Sequence, residues 1–189
     1  MGGRGAHSRI HGGGIFGRMP DLNGYLRFGT QFDAEQWHLA HSFDWDRWRN
    51  LLNDLERRGI IDYTGHWFST INTNLREGKP SSAEVQQRID GATSGLSKWV
   101  AAQDVITFRG ANYHWTANLL GGTEAQLSDP AFLRSKIGKM VTDKGFMSAG
   151  THEDSAWAAD VRYTILTHKG VNGMYVDSIS RNPGEYEFL

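Results

Sequence analysis

Apolar positions recur at helical spacing through the first half of the chain. In residues 33–58 the apolar side chains fall three or four positions apart, which predicts two helical segments with Gly59 as a C-terminal cap. A third, shorter helix is predicted over 66–76, with Thr64 in position to cap it. Residues 81–84, with the sequence SSAE, are typical of a capping box and predict the start of a further helix. The apolar stripe of that helix consists of Val85, Ile89, Ala92, Leu96 and Trp99.

The period changes in the second half, where short β-prone runs are separated by Gly-rich turns. The predicted strands are 105–108, 146–148, 161–167, 173–177 and 185–189. One helix interrupts them, and Pro130 stands at its first turn. Because strands and helices do not alternate regularly, the pattern favours an α+β fold over a doubly wound parallel sheet.

Composition narrows the class of protein. The 189 residues suffice for one domain, and 39% of them are hydrophobic. No apolar run reaches the roughly 18 residues that span a bilayer, and no leader pattern opens the chain, so we expect neither a membrane partner nor a signal peptide. The absence of Cys excludes disulfide scaffolds and cysteine nucleophiles. The net charge of −1 disfavours a global nucleic-acid binder, although a local basic groove stays compatible with it.

The N-terminal segment differs from the remainder of the chain. The first twenty residues hold seven of the 23 Gly, three Arg and no acidic residue. Glycine at that density loses much conformational entropy on ordering, which predicts a flexible tail or linker over residues 1–23. Residues 24–189 are then predicted to form a single domain.

Two carboxylates near the C-terminus are the strongest chemical signal. Glu185 and Glu187 are two positions apart, so on a regular strand both side chains face the same side of the sheet. Paired carboxylates suit stabilisation of a cationic transition state and handling of a proton. The competing interpretation is a solvated strand face at the end of the chain.

Three further features are weaker taken singly. Arg109-Gly110 follows the 105–108 run and can offer a guanidinium to a phosphate, or simply form an ion pair. Ser148 follows the second predicted strand and can orient a carboxylate, or simply lie in a turn. His38 and His41 lie three apart on a predicted helix, but no third ligand has suitable spacing, so we expect no metal site.

Taken in order, these pieces resemble a known family. Arg109, then Ser148, then Glu185-x-Glu187 is similar to the arginine–serine–glutamate pattern of ADP-ribosyltransferase toxins. The helical half adds a second similarity. It resembles the Tyr-Thr … Tyr-x-x-Ile-Asn-x-x-Leu-Arg segment of the clostridial Rho- and actin-modifying exoenzymes, in Tyr63-Thr64, Phe68, Ile71-Asn72 and Leu75-Arg76. The resemblance extends over about residues 59–189.

The resemblance implies an ADP-ribosyltransferase-like α+β fold, in which two small mixed sheets pack together beside an N-terminal helical lobe. NAD would bind in the cleft between them as a substrate. Arg109 would hold an NAD phosphate, and the backbone of Gly110 would meet the nicotinamide amide. Asn72 and Arg76 would reach the pyrophosphate, and Trp157 would pack on the nicotinamide.

The resemblance also implies roles for the acidic residues. Ser148 would hold Glu187, the catalytic glutamate, and Glu185 would act on the acceptor. Family members with Glu at the first position of Glu-x-Glu usually modify arginine. Two departures stand out: the family's Ser-Thr-Ser is Ser-Ala-Gly over 148–150, and the loop 178–184 lacks the aromatic residue that relatives often carry.

The function that follows is a mono-ADP-ribosyltransferase toxin module that transfers ADP-ribose from NAD to a protein acceptor, with arginine as the expected residue. The alternatives are an NAD glycohydrolase with water as acceptor, and a catalytically inactive binding module or phage structural domain. A nucleic-acid acceptor stays open. Family biology further implies a secreted or injected protein that acts in the cytoplasm of a target cell, and an immunity protein in the cell that produces it.

Overall fold

The first half of the chain forms a helical lobe. The protein is described here by a computed structural model, which covers residues 6–9, 22–78 and 80–189. The helices of this lobe are α1 Gln31–Ala40, α2 Ser42–Leu51, α3 Asp54–Asp62, α4 Phe68–Glu77 and α5 Ala83–Ser97. Side-chain hydrogen bonds cap the N-termini of α1, α3 and α5. Thr30 and Asn53 form capping boxes, and Ser82 Oγ accepts from Val85 N–H. The predicted stripe of α5 is buried from Val85 to Leu96.

Three predictions about the helices of this lobe were wrong. Residues 33–58 contain three helices rather than two, because Asn53 caps a new helix where the pattern predicts continuation. Gly59 lies inside α3 and does not end it. Thr64 belongs to a π-helical turn, Tyr63–Trp67, that joins α3 to α4, and its hydroxyl donates to the Ile61 carbonyl instead of capping α4.

Glycines allow α3 and α5 to pack with their backbones in contact. A Cβ on Gly59 would lie 2.5 Å from the backbone nitrogen of Ala92, and a Cβ on Gly91 would collide with the Leu55 carbonyl. The indole of the fully buried Trp48 donates to the Gly95 carbonyl of α5 at 3.1 Å. The space requirement of this crossing therefore explains why Gly59 stands within a helix.

The second half of the chain supplies the sheets and two further helices. The strands are β1 Ala6–Arg9, β2 Val105–Ala111, β3 Met140–Asp143, β4 Ala149–Gly150, β5 Val161–Thr167 and β6 Glu187–Phe188. The helices are α6 Tyr113–Leu120 and α7 Pro130–Lys136. One antiparallel sheet has the order β5-β2-β4-β6, and β1 pairs antiparallel with β3. The α+β prediction is confirmed, with antiparallel ladders; the parallel pairing seen is the bridge between Leu26 and Val105.

The predicted strand over 146–148 is displaced to Ala149–Gly150. The backbone groups of this segment form hydrogen bonds with side chains instead of with a neighbouring strand. Asn72 accepts from Phe146 N–H, Tyr63 donates to the Phe146 carbonyl, and Arg109 donates to the Ser148 carbonyl. This segment therefore serves as a connection between side chains of distant elements.

The two last predicted strands are shorter than expected. The run 173–177 forms one bridge, from Tyr175 to Phe188, flanked by hydrogen bonds from Met174 and Val176 to the end of the chain. The strand predicted over 185–189 is limited to Glu187–Phe188, because Tyr186 has a φ of 48°. A left-handed residue interrupts the alternation of a strand.

The predicted tail, residues 1–23, falls largely outside the described residues. Within it, Ala6–Arg9 forms β1 on the edge of β3, and residues 22 and 23 begin a turn. Across the described parts of the chain, no helix combines the length and apolar character needed to cross a bilayer.

We expect Gly91→Ala to lower the free energy of unfolding by about 2 kcal/mol, because the added methyl group meets the backbone of α3, which cannot move aside cheaply. Chemical denaturation measures the change. Gly29→Ala is the matched control, since a Cβ there meets only Asp33 Oδ2 at an ordinary 3.6 Å. Equal stability of the two variants would contradict the close crossing of α3 and α5.

Candidate active site

Arg109 projects from β2 into the space between the sheet and the helical lobe. The side chain is partly buried. Its Nη1 donates to the Ser148 carbonyl, and its guanidinium lies 5.3 Å from the centroid of the Trp115 ring. Its buried Nε has no hydrogen-bond partner among the described residues. Burial lowers the pKa of Arg109, and the neighbouring Arg76 adds to this effect. The side chain therefore presents desolvated positive charge.

Arg76 approaches the same space from α4. Its Nε and Nη2 donate to the two carboxylate oxygens of Asp143, each at 2.8 Å, and its guanidinium lies 5.5 Å from the Trp115 ring. Burial would raise the pKa of Asp143, but the bonds from Arg76 and from Gly145 N–H hold it below its usual value. Arg76 and Arg109 thus share Trp115 as a common neighbour.

Asn72 links the helical lobe to the segment before Ser148. Its side-chain oxygen accepts from Phe146 N–H at 2.8 Å, and its Nδ2 donates to the Tyr63 hydroxyl at 3.0 Å. Burial raises the pKa of Tyr63 to about 12, so this hydroxyl stays protonated and donates to the Phe146 carbonyl. The network secures the chain two residues before Ser148.

Glu187 is a nearly buried carboxylate at the centre of these groups. It opens β6 opposite Gly150 and is 5% exposed. Burial raises its pKa to about 7, and the negative charge of Glu185 adds to the rise. A hydrogen-bonding contribution from Ser148 and the positive charge of Arg109 oppose it. The carboxylate is therefore poised to change ionisation near neutral pH.

Glu185 lies beside Glu187, but not by the geometry that the sequence predicts. Tyr186 is left-handed, so the two glutamates do not follow strand alternation, and that part of the prediction was wrong. The Tyr186 N–H donates to Asp177 Oδ1 at 3.1 Å, and its carbonyl accepts from Thr151 N–H at 3.1 Å. Hydrogen bonds at both the N–H and the carbonyl of Tyr186 thus hold the turn that brings the two carboxylates together.

Trp157 contacts Glu185 at the edge of this group of residues. Its indole N–H donates to Glu185 Oε1 at 3.3 Å, and its ring meets the edge of Phe68 at 5.6 Å between centroids. Burial raises the pKa of Glu185, whereas this indole bond lowers it. The Trp157 carbonyl lies so close to Gly110 that any side chain at position 110 would collide with it.

The structure thus brings the predicted site residues to one place. The two histidines, His38 and His41, instead form hydrogen bonds with protein groups. His38 Nε2 contacts Thr151 Oγ1 at 3.0 Å, and His41 Nδ1 contacts the Trp37 carbonyl at 2.7 Å. Within the described ranges, no group of three His, Cys, Asp or Glu side chains could hold a metal ion.

The sequence profile described as ADP-ribosyltransferase exoenzyme matches residues 34–189, which is most of the chain. The chain belongs to the ADP-ribosyltransferase exoenzyme family. The family expected from the sequence is therefore confirmed. A search of curated proteins finds no match.

Solved structures of other exoenzymes share the fold. An ADP-ribosyltransferase from Clostridium botulinum is 23% identical with a TM-score of 0.72, and the match covers 88% of this chain and 86% of that one. The C3larvin toxin from Paenibacillus larvae is 27% identical with a TM-score of 0.61, covering 79% of each chain. C3stau2 from S. aureus, solved with NAD, is 19% identical with a TM-score of 0.67, covering 88% and 85%.

The glycine of the Ser-Ala-Gly departure, Gly150, has a local reason in this exoenzyme. A Cβ on Gly150 would collide with the hydroxyl of Ser155. That hydroxyl accepts from His152 N–H at 3.2 Å and donates to the His152 carbonyl at 2.6 Å, so it is fixed in place. Ser155 therefore occupies the space that a side chain at position 150 would need.

Several residues of the site were missed by sequence reasoning. Asp143, Thr151 and Asp177 are polar residues at the ends of short runs. Asp143 and Thr151 form contacts with groups distant in the chain, and Asp177 contacts Tyr186 nine residues later. The sequence carries one signal for Asp177, since it closes the predicted 173–177 strand and precedes a Gly-containing loop. Tyr63 was noted for the resemblance only, and Trp115 carries no signal.

The raised pKa of Glu187 predicts how the free energy of unfolding depends on pH. An acid whose pKa is about 7 when folded and 4.5 when unfolded weakens the folded state as pH rises from about 4.5 to about 7. At 1.36 kcal/mol per pKa unit, this loss is about 3 kcal/mol. We therefore expect Glu187→Gln to be more stable than the native chain by about 3 kcal/mol at pH 8 and equal to it near pH 4.

Urea denaturation at both pH values measures this difference. Glu84→Gln is the control, because the Glu84 carboxylate is 62% exposed at the start of α5 and pairs with Arg88. A Glu187→Gln variant that is less stable than the native chain at pH 8 would show that the carboxylate is not destabilised by burial.

Proposed function

We propose that this exoenzyme cleaves the nicotinamide–ribose bond of NAD and transfers ADP-ribose to an arginine side chain of a protein acceptor. The observation that carries the proposal is the buried Glu187 carboxylate, which lies against Ser148 and Arg109 and has Glu185 beside it. C3stau2 was solved with NAD, and BECa from C. perfringens, 23% identical, was solved with NADH.

The residues of this chain fit such a substrate. Arg109 keeps a buried, unpartnered Nε, and guanidinium donors suit phosphate oxygens. Arg76 is oriented by its two bonds to Asp143 and adds positive charge on the pyrophosphate side, next to Asn72. The Trp157 carbonyl occupies the space beside Gly110, so contact between the Gly110 backbone and the nicotinamide amide stays a prediction from the resemblance. The exposed Trp157 ring offers an apolar surface for the nicotinamide.

Glu187 carries the bond-breaking step. The electron pair of the breaking bond leaves with neutral nicotinamide, so positive charge develops on the ribose and no strong general acid is required. The ionised Glu187 stabilises that charge where it forms. Ser148 favours the ionised form of Glu187, and Arg109 balances its charge.

Glu185 serves the acceptor. Its carboxylate is held by Trp157 at the more exposed side of the site, where an incoming guanidinium can be oriented and can lose a proton. The nitrogen then bonds to the ribose carbon that nicotinamide has left. Water in place of the guanidinium gives NAD hydrolysis from the same contacts.

The biological setting follows from the relatives. C3larvin and Plx2a of Paenibacillus larvae are described as ADP-ribosyltransferase toxins. We infer that this exoenzyme is likewise secreted or injected and acts in the cytoplasm of a target cell. An immunity protein stays a prediction from the family resemblance, and a nucleic-acid acceptor stays an open alternative.

Conservative glutamate variants test the assignment. We expect Glu187→Gln to lower both NAD hydrolysis and ADP-ribose transfer by about a thousandfold, because the charge that stabilises the ribose is lost. Glu185→Gln should lower transfer to an arginine-containing acceptor by about a hundredfold and leave hydrolysis within about threefold. Labelled NAD measures both products, and Glu84→Gln is the control. Full transfer by Glu187→Gln would refute the proposal.

The pH dependence gives a second test. Because Glu187 acts in its ionised form and has a pKa of about 7, kcat/KM for NAD hydrolysis should fall about tenfold per pH unit below about 7 and level off above it. A pH series in constant ionic strength shows this limb. A rate that stays flat down to pH 5 would contradict the role of Glu187.

A further inference from the structure

Asp177 holds the turn that leads into the two glutamates. Its Oδ1 accepts from the Gly184 N–H at 2.8 Å and from the Tyr186 N–H at 3.1 Å. Gly184 has a φ of 94° and Tyr186 a φ of 48°, so two left-handed residues flank Glu185. Gly adopts this conformation readily, but Tyr does so only when surrounding bonds hold it.

The chain after Tyr186 is fixed by other elements. The Tyr186 carbonyl accepts from Thr151 N–H at 3.1 Å, and Val176 N–H donates to the Glu187 carbonyl at 2.9 Å. The sheet therefore positions Glu187 from one side. On the other side, the Asp177 carboxylate accepts the backbone N–H groups on both sides of Glu185, at Gly184 and Tyr186.

We propose that Asp177 is a positioning residue whose carboxylate fixes the 184–186 turn and so places Glu185 and Glu187 in one site. This inference rests on the proposed function for its kinetic consequences, but its structural part stands without it. Asp177 need not touch NAD or the acceptor, because it acts through the backbone on either side of Glu185.

Asp177 also adds negative charge beside the catalytic pair. Besides burial, the groups that act on the charge of Glu187 are Ser148, Glu185, Arg109 from β2 and Asp177. Tyr63 has a pKa of about 12, so it is neutral when Glu187 titrates. Asp177 raises the pKa of both glutamates. Removal of its charge should therefore move the ionisation of Glu187 to lower pH, while removal of its oxygen should release the turn.

Two variants separate these effects. Asp177→Asn keeps an oxygen that accepts from both N–H groups but loses the charge, whereas Asp177→Ala loses both. We expect Asp177→Asn to keep kcat for NAD hydrolysis within about threefold at pH 8 and to shift the acid limb of the rate profile to lower pH. Asp177→Ala should lower kcat at least thirtyfold with the Kd for NAD nearly unchanged.

Asp129→Ala is the matched control, because Asp129 also accepts from a backbone N–H, that of Ala131, at the start of α7. It should leave the rate profile unchanged. Amide hydrogen exchange supplies a readout independent of activity: exchange at Tyr186 should rise at least tenfold in Asp177→Ala and stay near the native rate in Asp177→Asn.

Distinct outcomes overturn the inference and the proposed function. Native protein that does not cleave NAD would refute the proposed function, and the exchange data would still decide the role of Asp177. Unchanged exchange at Tyr186 in Asp177→Ala, or an Asp177→Asn variant as impaired as Asp177→Ala, would overturn the positioning role. A large rise in the Kd for NAD would also overturn it, since it would place Asp177 at the substrate.

Discussion

Burial of an ionisable carboxylate beside an arginine is the constraint on which the site depends. Glu187 is almost removed from water, and desolvation raises its pKa to about 7. Arg109 is desolvated in the same space, so each group partly offsets the cost of burying the other. A carboxylate in this state strongly stabilises a neighbouring positive charge, because little water screens it. The fold must supply enough hydrogen bonds to keep this arrangement in place.

Much of that support comes from the helical lobe. The π-helical turn and α4 supply Tyr63, Asn72 and Arg76, whose side chains bond to the chain between Asp143 and Phe146. These bonds replace strand pairing in that segment, and they fix the approach to Ser148. The lobe is in turn anchored by the close crossing of α3 and α5. Helical packing and the position of the serine are thus parts of one structure.

The end of the chain shows how local strain serves the site. Tyr186 adopts a backbone conformation that costs a non-glycine residue energy, and bonds from Asp177 and Thr151 hold it there. As a result, the two glutamates lie side by side through a turn at Tyr186. On a regular strand they would be neighbours because alternate residues share one face. Both carboxylates have raised pKa values, chiefly because burial removes water from them, and nearby negative charges add to the rise.

The helical half, the α+β class and the strand β5 follow from periodicity, because burial of an apolar stripe depends mainly on local spacing. The order of Arg109, Ser148 and the Glu-x-Glu pair also lies in the sequence, and it indicated the family. The turn at Tyr186, the displacement of the strand near Ser148 and the helical position of Gly59 were beyond reach, because each depends on a partner far away in the chain. The sequence by itself determined which chemical groups are present and in what order. Only the tertiary structure decided their pKa values and their placement, since desolvation and long-range hydrogen bonds exist only once the chain is packed.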